Sequence, residues 1–124
     1  MEEDQGRIVD AVRRLRQGVR WKSGKDTQHL AKRIELGHLL VGTTLAEYEA
    51  IVIRVISTPT AEVFVYRWGE VLYPTVVAEV EGARWLVMVG LDSVMETAFP
   101  PEDLETYLAN LRFQRLETLE ELGL

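Results

Sequence analysis

The sequence predicts an α+β fold in which helices come first and a mainly antiparallel sheet follows. Apolar residues recur at helical spacing through the first 56 residues, whereas residues 61–99 contain four runs rich in β-branched and aromatic residues. The connections between these runs are short and contain glycine, which is typical of hairpins. We therefore expect N-terminal helices, a four-stranded antiparallel sheet and a C-terminal helix.

A chain of 124 residues is the common size of one domain, and 47% hydrophobic residues with 27% charged residues is ordinary globular composition. The sequence therefore predicts a single domain over residues 1–124. Its expected parts are a basic helical part at 1–56, the sheet at 61–99 and a C-terminal helix at 101–122.

Three helices are expected in the first part. The first covers about 5–18, where apolar residues recur on one face: Ile8, Val9, Val12, Leu15 and Val19. The second covers about 27–36, with Asp26 or Thr27 as its N-cap and Gly37 as its stop. The third covers about 44–56, because Thr44 and Glu47 have the spacing of a capping box. Its β-branched end could instead be part of a strand.

The predicted strands are Ala61–Trp68, Val71–Val80, Arg84–Val89 and Ser93–Phe99. Pro74 weakens the second of them, or places it at an edge or a bulge, since proline donates no ladder hydrogen bond. Prolines 100 and 101 then open the C-terminal helix. The apolar face of this helix is expected to consist of Leu104, Tyr107, Leu108 and Leu111.

Charge is distributed unevenly along the chain. Residues 1–38 contain nine Lys/Arg and six Asp/Glu, whereas residues 39–124 contain five and fourteen, for a net charge of −6. This asymmetry predicts a local basic surface on an acidic body, or simply basic residues that solvate helix faces. The absence of cysteine fits a reducing compartment, or a domain that must work in any compartment it reaches. No apolar run is long enough for a membrane helix, and the acidic start differs from a signal peptide.

The only two histidines, His29 and His38, lie nine residues apart. On one continuous helix they would face opposite ways. Without cysteine, an HExxH motif or a carboxylate cluster at ligand spacing, the sequence predicts no metal site and no cofactor. It also lacks a phosphate-binding glycine loop and the GxSxG motif of serine hydrolases.

His29, Lys32 and Arg33 are spaced to share one helix face. A histidine can transfer a proton near neutral pH, and the two cations can hold a phosphate and stabilise the charge that develops on it. This group therefore has the parts for phosphodiester chemistry. The alternative interpretation is a solvated helix face with a chance histidine.

Two further groups are candidates for the same chemistry. Thr97, at the end of the last predicted strand, could donate a hydrogen bond to a phosphate oxygen, or it is an ordinary strand residue. Tyr66 and Arg67, followed by Trp68, could stack bases and hold phosphates, or the aromatic residues belong partly to the core. Trp21 and Trp85 are expected to be packing residues.

The layout and three short motifs resemble the barnase–EndoU–colicin–RelE (BECR) superfamily of metal-independent toxin ribonucleases. The matching pieces are His29-Leu30-Ala31-Lys32-Arg33, Gly37-His38 and Thr97-Ala98-Phe99-Pro100, within residues 21–100. The resemblance implies helices before a four-stranded antiparallel sheet that carries the active site on its face. It also implies RNA cleavage by attack of a ribose 2′-hydroxyl on the adjacent phosphate. His29 or His38 would be base or acid, Lys32 and Arg33 phosphate ligands, and Thr97 a donor to the phosphate.

This interpretation implies RNA as the substrate, the cytoplasm as the site of action and a cognate immunity or antitoxin protein as a partner. Such a domain can also be delivered as part of a secreted toxin. The rival hypothesis is a non-catalytic, acidic interaction domain of the immunity or antitoxin type, whose surface would complement a basic partner. The acidic second half of the chain favours the rival, whereas the histidines and cations clustered in the first half favour the nuclease. The oligomeric state is left open.

Overall fold

A computed structural model describes residues 2–124 of the protein, with the side chain of Glu2 left out of the description. Three helices precede an antiparallel sheet, as predicted. The elements, in chain order, are α1 (Glu2–Gln17), α2 (Lys25–Glu35), α3 (Leu45–Ser57), β1 (Glu62–Trp68), β2 (Val71–Val80), β3 (Ala83–Val89), β4 (Met95–Phe99), α4 (Leu104–Leu108) and β5 (Phe113–Thr118).

The ends of α3 and the start of α2 test the predicted helix boundaries. The Thr44 side chain accepts a hydrogen bond from the Glu47 backbone amide, and the Glu47 carboxylate accepts one from the Thr44 amide, so the predicted capping box is confirmed. The β-branched end of α3 stays helical to Ser57 because it packs under the sheet. The predicted N-cap of α2 was wrong: Gly24 occupies that position in a left-handed conformation, without a side-chain cap.

The first four strands form the predicted meander, and the sheet order is β4-β3-β2-β1-β5 with every pair antiparallel. The β2–β3 turn has two residues with positive φ, Glu81 and Gly82, as a tight hairpin requires. Pro74 pairs with Val65 of β1, and the ladder to β3 begins at Thr75. Pro74 therefore takes no part in the β2–β3 ladder.

The predicted C-terminal helix over 101–122 was wrong, and so was the count of four strands. Asp103 caps a helix that ends after Leu108, and Leu111, assigned to its apolar face, is fully exposed. The chain then turns and adds β5 to the free edge of β1. Unpaired backbone groups at a sheet edge favour such pairing, and no local pattern reveals which segment will supply it.

Two hydrophobic layers cover the two faces of the sheet. On one face α1 and α3 pack against the strands through a continuous core that includes Tyr48 and Trp85. On the other face a smaller cluster is covered only by α4, through Leu104 and Leu108. α2 contacts α3 and the edge strand β4. None of the helices in residues 2–124 is long and apolar enough to cross a membrane.

Candidate functional site

Arg33 is the most unusual side chain in the described part of the chain. It lies on α2 and is only 7% exposed. Its Nε atom is buried without a hydrogen-bond partner. None of the ion pairs among the described residues includes it. Its guanidinium carbon lies 5.3 Å from the centroid of the Phe99 ring, in a cation–π contact. Buried charges in proteins are normally paired, so this one has the character of a ligand-binding group.

Burial also lowers the pKa of Arg33 below its ordinary value, because desolvation disfavours the charged form. Arginine nevertheless stays protonated at any physiological pH. The protein thus holds a fixed positive charge, with unused hydrogen-bonding capacity, beside the ring of Phe99. A planar fork of donors of this kind matches the oxygens of a phosphate or a carboxylate.

Arg33 borders a cleft of about 490 Å³ between the end of α2 and the start of the β4–α4 connection. The cleft brings together residues from two segments that are distant in sequence, 33–38 and 97–102. They are Arg33, Leu36, His38, Thr97, Phe99, Pro100, Pro101 and Glu102. Three of the predicted site residues, Arg33, His38 and Thr97, therefore share one cleft.

A β-bulge aims Thr97 into this cleft. Val89 of β3 pairs with Met95, but its neighbour Met88 pairs with Thr97, so Glu96 is the extra residue on β4. The bulge lets Met95 and Ala98 point into the main core while Thr97 faces the cleft. Bulges of this kind are frequent beside active sites, where they redirect a side chain.

His38 follows directly on α2 and is held by the backbone. Gly37 takes a left-handed conformation, with φ of 77°, and the His38 amide donates to the Arg33 carbonyl oxygen at 2.9 Å. The His38 Nδ1 atom is buried without a partner. Burial lowers the pKa of His38 and Arg33 lowers it further, whereas Glu102 acts in the opposite direction. His38 is therefore neutral at pH 7 and can accept a proton.

His29 lies one helical turn before Arg33, and its ring contacts Trp21 with centroids 5.4 Å apart. Burial lowers its pKa, Arg33 and Lys25 add to the effect, and Glu96 opposes it. His29 borders a second groove along α2, of about 570 Å³, rather than the cleft itself. Arg33 lines both, so each histidine shares one of the two hollows with Arg33.

Lys32 is exposed and borders only the groove along α2, beside His29 and Arg33. His29, Lys32 and Arg33 therefore line one groove, as their spacing predicted, but their side chains differ in exposure. Arg33 faces inward and Lys32 faces solvent, where it can meet an anion as a mobile point charge.

Tyr48 and Trp21 hold α2 and β4 in this arrangement. The buried Tyr48 hydroxyl donates to the carbonyl oxygen of Ala98 at 2.6 Å, and burial raises its pKa to about 12. Trp21 packs on Tyr48 with centroids 5.7 Å apart and donates from Nε1 to Glu49 at 2.8 Å. Trp21 and Trp85 are thus packing residues, as expected.

Tyr66 and Arg67 do not join the cleft. Arg67 lies on the helix-covered side of the sheet, with a nitrogen 3.9 Å from an Asp4 oxygen on α1. Tyr66 lies on the other face, in an aromatic pocket under α4. Sequence reasoning missed the roles of Glu96 and Glu102, because a bulge and a loop conformation have no local signal. Phe99 was visible only as part of the Thr97 motif.

Residues 2–124 contain no group of three or more histidine, cysteine or acidic side chains placed to hold a metal ion. Comparisons of this chain with models of known protein families, with curated proteins and with solved structures find no match.

Proposed function

We propose that the protein is a metal-independent endoribonuclease, of the toxin type, that cleaves RNA through attack of a ribose 2′-hydroxyl on the adjacent phosphate. The observation that supports this most is Arg33, a buried side chain whose Nε lacks a partner among the described residues, in a cleft with His38 and Thr97 and in a groove with His29. An anion would supply the missing partner of Arg33. The two histidines would supply proton transfer to and from that anion's oxygens.

In the proposed reaction, Arg33 binds the non-bridging oxygens of the scissile phosphate. The half-exposed Thr97 hydroxyl donates to the same group, and Lys32 steers RNA to the cleft. One histidine takes the proton of the 2′-hydroxyl as the O2′–P bond forms. The other gives a proton to the 5′-oxygen as the P–O5′ bond breaks, which leaves a 2′,3′-cyclic phosphate and a 5′-hydroxyl.

The low pKa of both histidines fits this scheme in a specific way. Free protein at pH 7 holds both imidazoles neutral, next to a permanent cation. A bound phosphate dianion or diester would offset the repulsion from Arg33, and this would raise the pKa of the adjacent imidazole. One histidine can then be protonated as the acid while the other stays neutral as the base, and the rate should pass through a maximum with pH.

The test is cleavage of total RNA in the presence of EDTA by wild type, His29→Ala and His38→Ala. Loss of a general acid or base lowers rates by about 10²–10⁴-fold. We expect each histidine variant to lose most cleavage and to keep its circular dichroism spectrum. Arg7→Ala, which removes an exposed cation on α1, is the matched control and should cut normally.

Wild type that cuts no RNA, or histidine variants that both cut at the normal rate, would refute the catalytic assignment. The acidic interaction domain would then replace it. Expression in bacteria separates the two hypotheses independently, since a toxin should arrest growth and an immunity or antitoxin-like protein should not.

A further inference from the structure

A series of contacting aromatic rings extends from Arg33 across the sheet face that α4 covers. The guanidinium lies 5.3 Å from the centroid of Phe99, and Phe99 meets Tyr107 edge-on at 5.4 Å. Tyr107 contacts Phe113 at 5.7 Å, and Phe113 contacts Tyr66 at 4.8 Å. The anion site and the aromatic residues under α4 are thus parts of one continuous surface.

The far end of this series is a pocket of about 610 Å³ between the sheet and the α4–β5 connection. It is lined by Tyr66, Met88, Thr106, Tyr107, Ala109, Asn110 and Phe113. A volume of this size is typical of small-ligand sites, which combine apolar walls with a few polar groups. Here the polar groups are two phenols and the Asn110 amide, whose Oδ1 accepts from the Arg112 backbone while its nitrogen remains available.

We infer that this pocket binds a nucleobase of the RNA whose phosphate lies at Arg33. Aromatic walls suit a planar base, since stacking on tyrosine and phenylalanine is how single-stranded RNA is commonly held. The amide nitrogen of Asn110 and the hydroxyls of Tyr66 and Tyr107 would face the edge of the base. Only one ring, that of Phe99, separates Tyr107 from the guanidinium, so a single nucleotide reaches from one site to the other.

The surroundings of Tyr107 support an aromatic ligand rather than a second anion. Tyr107 is 38% exposed, so part of its side chain is available for contact. Burial and the nearby Tyr66 phenol raise the pKa of Tyr107, which keeps its hydroxyl protonated and able to donate. No lysine or arginine lines this pocket, in contrast to the cleft at Arg33.

The inference rests on the proposed ribonuclease function, but binding tests it without any cleavage. The probes are the four nucleoside 3′-monophosphates and the base-free control ribose phosphate, titrated by calorimetry. We expect at least one nucleotide to bind more tightly than ribose phosphate. Tyr107→Leu, which keeps apolar bulk but removes the ring, should weaken nucleotide binding about tenfold to hundredfold, the range for loss of one stacked base. Ribose phosphate binding should not change.

Tyr73→Leu is the matched control, because Tyr73 lies on the same sheet face but does not line the pocket. Tyr107→Phe should retain most of the affinity. Equal binding of nucleotides and ribose phosphate by wild type would overturn the inference, as would equal weakening of both by Tyr107→Leu. If nucleotides bind through Tyr107 but RNA is not cut, the pocket assignment stands and the ribonuclease proposal fails. If RNA is cut but no nucleotide binds more tightly than ribose phosphate, the ribonuclease proposal stands and the pocket assignment fails.

Discussion

Replacement of Arg33 by methionine should make the free protein more stable while it abolishes anion binding. Methionine retains most of the apolar stem and removes a charge that has no partner among the described residues. A buried polar group left without a hydrogen bond costs about 1–3 kcal/mol. The guanidinium–Phe99 contact, at 5.3 Å, returns about 0.5–2 kcal/mol of this, the range from exposed to desolvated pairs. We therefore expect Arg33→Met to raise the free energy of unfolding by roughly 1 kcal/mol, from these two contributions.

Arg16 provides a matched arginine that has partners. It donates from Nε to the Ile56 carbonyl oxygen at 2.8 Å and from a terminal nitrogen to the Leu124 carbonyl oxygen at 2.9 Å. Its replacement by methionine leaves both carbonyls unsatisfied and should cost about 1–2 kcal/mol. Two chemically identical substitutions should therefore change stability in opposite directions.

Urea unfolding of wild type and the two variants measures these changes, and thermal unfolding in phosphate measures the anion site. Phosphate should raise the melting temperature of wild type relative to chloride at equal ionic strength, because a ligand of the folded state stabilises it. Arg33→Met should show a smaller rise, limited to the general stabilisation that phosphate gives by exclusion from the protein surface. The reasoning is refuted if Arg33→Met unfolds as easily as Arg16→Met, or if phosphate raises the melting temperatures of Arg33→Met and wild type equally.

Two further outcomes follow from the histidines and from the cap of α3. Because the folded-state pKa values of His29 and His38 lie below their ordinary value, unfolded chains take up protons that folded chains do not as the pH falls below about 6.5. The free energy of unfolding, measured by urea titration, should therefore decrease as the pH is lowered from 7.5 to 5.5. The decrease should be smaller in the double variant His29→Gln/His38→Gln, and an equal decrease in that variant would contradict the assignment. Thr44→Ala removes one partner of the capping box and should cost about 1 kcal/mol in the same assay. A loss within error of zero would show that the Glu47 carboxylate caps α3 alone.

The prediction from sequence was most accurate where the signal is local. The capping box of α3, the stop at Gly37 and the glycine-containing hairpins each depend on residues within a few positions of one another, so they are visible without knowledge of the fold. The same holds for the strand periodicity that places β1 to β4. The grouping of His29 with Arg33 was also predictable, because helical spacing alone puts them one turn apart.

The last part of the chain shows where this reasoning stops. Leu104, Tyr107, Leu108 and Leu111 have helical spacing, yet the helix ends after one turn and Leu111 is exposed. The free edge of β1 offers a row of backbone hydrogen bonds to β5, and Phe113 packs on Tyr66. These contacts join residues about 50 positions apart in the chain, and their gain outweighs local propensity.

The sequence by itself determined the order of helices and strands as far as β4 and the residue types available for chemistry, because periodicity, caps and turns act over short separations. Only the tertiary structure decided that Arg33 is buried without an acidic partner while its neighbour Lys32 is exposed. It also decided that His38 and Thr97 meet in a cleft, since this requires the bulge at Glu96 and the packing of α2 against β4. The burial of a side chain, its ion pairing and its proximity to other site residues all depend on contacts between distant segments, and no short window of the chain contains them.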